Sequence, residues 1–208
     1  MTVADIIATR NIEEVLHFTT NRGITGMIAA GRVLSRKRLP DEKHLEHVYQ
    51  YNCPDRSRDA SWHDYVNLSI TTVNRHLFGI SKGKWHRAQD GWWCIASFVP
   101  EIMTHEGVQF TTTNNMYTGV VRYSGPSGLE KLFAPHICRW ENNVINRTST
   151  CPPNQPTCEQ AEVLYPGELF LNYLQRLYVK TPDDAAALES ILILYSRDIE
   201  VVERLELF

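Results

Sequence analysis

Polar and apolar positions alternate most cleanly between Tyr65 and Ile70, where Val66, Leu68 and Ile70 form one row and Tyr65, Asn67 and Ser69 the other. A period of two predicts a strand with the first row against a core and the second facing a pocket or solvent. The same reading predicts strands at Val15–Thr19, Trp92–Phe98, Val108–Thr112, Gln160–Leu164 and Val201–Leu207, with an extended stretch at Leu174–Val179. Helices are expected over Ala4–Ile12, over Gly23–Ala30 with Gly31 just past its end, and from Asp183 to about Leu194, where Thr181-Pro182-Asp183 supplies a capping start. Shorter helical pieces are expected at Thr72–Phe78, after Pro100 and at Leu129–Phe133, and residues 35–63 and 134–158 read as long loops. Strands and helices follow no fixed period, so the pattern predicts a compact α+β domain over residues 1–208 rather than a doubly wound sheet.

On the Gln160–Leu164 strand, Gln160 and Glu162 share the face opposite Ala161 and Val163. A carboxylate there is either the charged side of an edge strand or a group that handles a sugar. With 43% hydrophobic and 22% charged residues the composition is that of a water-soluble globular protein. No apolar run approaches the roughly 18 residues of a membrane span. Met1-Thr-Val-Ala-Asp5 lacks a basic and then apolar leader, so a cytoplasmic setting without membrane attachment is expected. Five cysteines with no repeated spacing fit reduced thiols, and His136-x-Cys138 with Cys151-x6-Cys158 lacks the spacing of a zinc site, so no metal is expected.

The net charge of −3 hides an asymmetry: residues 31–90 hold eleven Lys/Arg against seven Asp/Glu, and residues 159–208 hold four against ten. Arg36, Lys37 and Arg38 form one basic cluster, beside Arg32, and Lys82, Lys84 and Arg87 form another interleaved with Trp85 and His86. Cations beside stacking rings suit single-stranded nucleic acid, and equally suit two solvated loops. No Gly-x-Gly-x-x-Gly, no phosphate-binding Gly-x4-Gly-Lys-Ser/Thr loop and no Gly-x-Ser-x-Gly elbow is present, so a dinucleotide would have to be held in another way.

Three segments, His17-Phe-Thr-Thr-Asn-Arg-Gly-Ile24 leading to Gly31-Arg-Val-Leu34, Asp64-Tyr-Val-Asn-Leu-Ser-Ile70 and Gln160-Ala-Glu-Val163, together resemble the DarT family of ADP-ribosyltransferase toxins. The resemblance covers most of the chain. It implies an ADP-ribosyltransferase fold with a split mixed sheet and flanking helices, NAD as co-substrate, ADP-ribose transfer to a base in single-stranded DNA with release of nicotinamide, and a macrodomain antitoxin as partner. Well-known members read Asp-Tyr-Val-Pro-Phe-Tyr-Phe where this chain reads Asp64-Tyr-Val-Asn-Leu-Ser-Ile70, which leaves guanine, or RNA, open as alternatives to thymine.

The residue types suit that chemistry. Cleavage of the nicotinamide–ribose bond builds positive charge on the sugar, so a fixed carboxylate, Glu162, stabilises the transition state and can accept a proton from the attacking base. His17 and Thr19, two residues apart on one strand, are expected to clamp the dinucleotide, with Tyr65 and Ser69 lining its nicotinamide side. A planar cation for a phosphate is expected at Arg58, with Arg56 the alternative. Modification of protein, simple hydrolysis of NAD, and non-enzymatic nucleic-acid binding through the two basic clusters are the competing functions.

Overall fold

The structure is a computed structural model that describes residues 1–39, 57–86, 91–118 and 120–208. Its elements in chain order are α1 (Val3–Arg10), β1 (Val15–Thr20), α2 (Asn21–Ala30), β2 (Arg32–Leu34), β3 (Tyr65–Ile70), α3 (Arg75–Ile80), β4 (Trp93–Phe98), β5 (Gln109–Thr111), β6 (Arg122–Ser124), α4 (Gly125–Lys131), β7 (His136–Trp140), β8 (Asn143–Asn146), β9 (Glu162–Pro166), β10 (Glu168–Phe170), β11 (Leu174–Val179), α5 (Pro182–Leu194) and β12 (Glu200–Glu203).

Eight strands form one sheet in the order β12-β11-β4-β1-β3-β9-β5-β6, antiparallel except for the β11–β12 pair. One face packs on α1, α2, α4 and α5 through residues such as Ile6, Ile24, Ile28, Leu129 and Leu188, against Val15, Ala96, Phe98 and Leu177 of the strands. The other face carries Leu16, Phe18, Ile95 and Tyr178 beneath Phe78 of α3, where Phe18, Phe78 and Trp93 lie in ring contact at 4.9–6.0 Å. Alternation along β1 therefore divides its side chains between two apolar layers, as a strand central to a covered sheet requires.

β1 and β3 are the hinge line of this sheet. They pair only at Val15↔Ile70 and Leu16↔Ser69, whereas β1 stays paired with β4 over all six residues, and β3 stays paired with β9 from Tyr65↔Pro166 to Leu68↔Val163. Past Leu16 the two halves therefore part, and the mixed sheet is split as the family resemblance implies. Each half keeps its own ladder, so the opening costs few backbone hydrogen bonds.

The structure differs from the expected elements at several points. The 134–158 stretch contains the β7–β8 hairpin, turned through Glu141 and Asn142, whose φ is 62°. The helix expected at Leu129–Phe133 is Gly125–Lys131, where Pro126 in the first turn starts it earlier. The helical turn expected at Thr72–Phe78 is Arg75–Ile80, capped by Asn74. The last strand stops at Glu203 and gives way to a 3-10 turn at Leu205–Leu207. The strands β2, β6 and β10 have three residues each, fewer than two periods of alternation, and left no pattern to read.

Candidate active site

Where β1 and β3 part lies a cavity of about 150 Å³, lined among others by His17, Thr19, Tyr65, Asn67, Ser69 and Glu162. Residues far apart in sequence thus meet on the two banks of one opening. Across the split the ladder bond that β1 and β3 no longer make is replaced by a side chain: His17 Nδ1 lies 3.0 Å from the Asn67 carbonyl oxygen. A carbonyl only accepts, so Nδ1 carries the proton, and burial pushes the imidazole pKa down more strongly than that bond raises it. The ring is therefore held neutral with Nε2 as an acceptor.

Thr19 is buried, and its hydroxyl occupies the space above Gly23 at the start of α2, where a Cβ would come within 2.0 Å of Thr19 Oγ1. A side chain at residue 23 would move the hydroxyl or the helix. The neighbouring Thr20 caps that helix by accepting the Gly23 N–H at 3.2 Å. Glycine thus lets one threonine start the helix while the other lines the cavity.

Glu162, only 5% exposed, stands at the first position of β9. One carboxylate oxygen, Oε2, accepts the Asn115 N–H at 2.8 Å, and the Glu162 N–H donates to Thr111 Oγ1 at 3.2 Å. Asn115 is in turn gripped twice by Arg122, whose Nε donates to its Oδ1 at 2.6 Å and whose Nη2 donates to its carbonyl at 2.7 Å. The Arg122 guanidinium lies 4.9 Å over the Trp62 ring, and Trp62 meets Tyr65 at 5.1 Å. The carboxylate is therefore aimed by a relay running from the rim of the sheet. Asn115 and Arg122 were not among the expected site residues.

Ser69 lines the cavity and accepts the Asn74 N–H at 3.3 Å. Arg36 lines it from the 3-10 turn Arg36–Arg38, whereas Lys37 and Arg38 turn to Asp64, at 3.8 Å and 2.9 Å. The bond from Arg38, with a second from Ser35, holds the Asp64 carboxyl below the usual range. Lys82 sits 4.3 Å over the Phe78 ring, and its pKa is lowered by burial and by the nearby Lys180 cation. Lys84 is exposed beyond it on a π-helical turn, Ser81–Trp85. Arg58 falls in the 3-10 segment Ser57–Trp62, and Arg56 and Arg87 lie outside the described residues. Among the described residues no group of three His, Cys, Asp or Glu could hold a metal ion, and no helix is long and apolar enough to cross a membrane.

A split mixed sheet with flanking helices and a cavity opening at the split is the fold of the ADP-ribosyltransferases. A model of the DarT family, described as ssDNA thymidine ADP-ribosyltransferase, matches residues 16–207, and the chain belongs to that family. It is an NAD-dependent ADP-ribosyltransferase. Among solved structures it is similar to Thermus sp. 2.9 DarT in complex with NAD+ (TM-score 0.67, 14% identity, 94% of this chain and 97% of that one). The same Thermus protein in complex with ADP-ribosylated ssDNA aligns with a TM-score of 0.66 at 14% identity, over 95% of this chain and 97% of that one. Thermosipho africanus DarTG in complex with ADP-ribose aligns at 0.56 and 14% identity, over 94% of this chain and 51% of that longer one. No curated protein matches the sequence.

Proposed function

We propose that the chain, acting as one ADP-ribosyltransferase domain, transfers ADP-ribose from NAD to thymidine in single-stranded DNA, with Glu162 as the residue that acts on the reacting sugar. The observation that carries this reading is a buried carboxylate, fixed by the Asn115 N–H, lining the same cavity as His17, bonded to the Asn67 carbonyl, and the Thr19 hydroxyl. In the reaction the bond between nicotinamide and the anomeric carbon breaks, nicotinamide leaves with the electron pair, and a ring nitrogen of the base bonds to that carbon and gives up its proton. Glu162 meets the cationic sugar, accepts a hydrogen bond from a ribose hydroxyl and takes the released proton. His17 Nε2 accepts from a second hydroxyl, and Thr19, Tyr65 and Ser69 fix the nicotinamide end.

Arg36, lining the cavity, joins Arg58 or Arg56 as a cation for the pyrophosphate. The DNA strand is met by Lys82 and Lys84 and by Lys37 and Arg38, the last two already oriented by Asp64, and Arg87 is assigned to the same role from its sequence cluster. A macrodomain antitoxin in the cytoplasm is the partner this family membership favours.

The test is mass spectrometry of DNA and RNA oligonucleotides of each base incubated with NAD and the protein. Thymidine-containing DNA should gain about 541 Da, the mass of one ADP-ribosyl group. A gain confined to guanine or to RNA would reassign the acceptor. Nicotinamide release that ignores added oligonucleotide, with no mass gain, would leave an NAD hydrolase or a protein-modifying enzyme.

A further inference from the structure

Asn74 is 2% exposed and lines the cavity, yet among the described residues its side-chain nitrogen Nδ2 has no hydrogen-bond partner. The orientation of the amide is settled by its other end: Oδ1 accepts the Leu77 N–H at 3.0 Å and caps α3, a bond an NH2 group could not make. Two N–H donors are thus left buried, an arrangement native proteins rarely keep without a use. The backbone that holds them there is itself costly. Thr71, at the corner between β3 and Asn74, has φ 62°, a left-handed conformation that a β-branched residue adopts rarely.

The neighbours of this amide define what it could meet. Ser69 Oγ accepts the Asn74 N–H. Leu68 stands opposite Val163, so the next residues, Ser69 and Glu162, extend toward the same side of the sheet, and both line the cavity. Asn74 is thereby tied to the side of the sheet that Glu162 shares, the residue assigned to the bond to be broken. Leu77, whose N–H bonds the Asn74 amide, lines the cavity in one apolar cluster with Leu16 and Phe18, giving an apolar wall next to this neutral donor. Such a wall suits a flat aromatic amide better than a phosphate, which would call for a cation.

We propose that Asn74 Nδ2 donates a hydrogen bond to the carboxamide oxygen of the nicotinamide in bound NAD, which makes Asn74 a substrate-binding residue that recognises the leaving group. This rests on the assignment of the reacting end of the cleft to Glu162.

Asn74→Ser and Asn74→Thr keep a side-chain oxygen to cap α3 and remove the amide donor. Calorimetric titration of each variant and of the wild type with NAD, and separately with ADP-ribose, reads the effect. The NAD affinity of both variants should fall by about 10- to 100-fold, as expected when a site loses a hydrogen bond it was built to make, while ADP-ribose, which lacks nicotinamide, should shift by less than about 3-fold. Equal losses for both ligands, or no loss for NAD in either folded variant, would overturn the assignment while leaving Glu162 untouched. Wild-type protein that binds ADP-ribose and NAD equally well would also remove it. Wild-type protein that binds neither would remove the functional reading and this proposal together.

Discussion

The two banks of the split are built by different means. His17 and Thr19 stand on β1, which is paired with β4 at every residue, so their directions follow from a backbone ladder. Glu162 opens β9 beside the three-residue strand β5, and its carboxylate is aimed by Asn115, which Arg122 holds. A ladder fixes side chains through many shared bonds, each of small consequence. A relay fixes one side chain through few bonds, each of large consequence. The carboxylate to which we assign the reaction thus sits on the bank that a single substitution at a distance can disturb.

The largest effect should come from Glu162→Gln, which keeps an oxygen for the Asn115 N–H and removes the charge. Nicotinamide release in the presence of DNA should fall by about 10³-fold or more with an unchanged melting temperature. A loss of under ten-fold would move the chemistry to another residue. Next comes Arg122→Ala, expected to lower kcat by up to about 10²-fold with little change in NAD affinity, because misaim rather than lost binding is the cause. Arg122→Lys should not restore it, since an ammonium cannot reach both Asn115 oxygens as the guanidinium fork does. A raised KM at normal kcat would instead make Arg122 a binding residue.

On the ladder bank the expected effects are smaller. Gly23→Ala should gain up to about 1 kcal/mol in helix propensity if nothing opposed it. The contact with Thr19 predicts the reverse: no gain in melting temperature and NAD binding about ten-fold weaker. A more stable variant with normal affinity would show that the close approach is unimportant. The smallest effect is that of pH on His17. Its folded pKa is below 6.5, so the unfolded chain takes up a proton first as pH falls. Stability from the neutral ring is full above that value and declines as pH drops from 6.5 toward the lowered pKa. NMR titration of the histidines should place His17 below 6.5, and a midpoint at or above it would mean the ring is charged in the site.

What the sequence disclosed follows the same division. Tyr65–Ile70 is observed at the bounds its alternation predicted, the extended stretch expected around Leu174–Val179 is a strand there, and Gly31 ends α2 in the left-handed conformation expected of it (φ 70°). Those features are local, so period and steric rules reach them. Glu162 was legible as a strand carboxylate, but its partner lies 47 residues away and offers a backbone N–H, a group every residue except proline carries. Nothing in the letters Asn115 or Arg122 marks that use. Asn74 did leave a signal, an amide three residues before Leu77 at a helix start, which marks the cap two residues after Thr72. The β7–β8 hairpin left one too, in Glu141-Asn142-Asn143 between Ile137 and Val144.

The place of β9 has a consequence for biosynthesis. It enters the sheet between β3 and β5, both synthesised earlier. A growing polypeptide that has not yet passed Glu162 lacks the carboxylate assigned to the reaction, so on the proposed mechanism it would not consume dinucleotide on the ribosome. Until β9 arrives, β3 and β5 each present an unpaired edge, which makes the stage without Glu162 also the one most prone to aggregation.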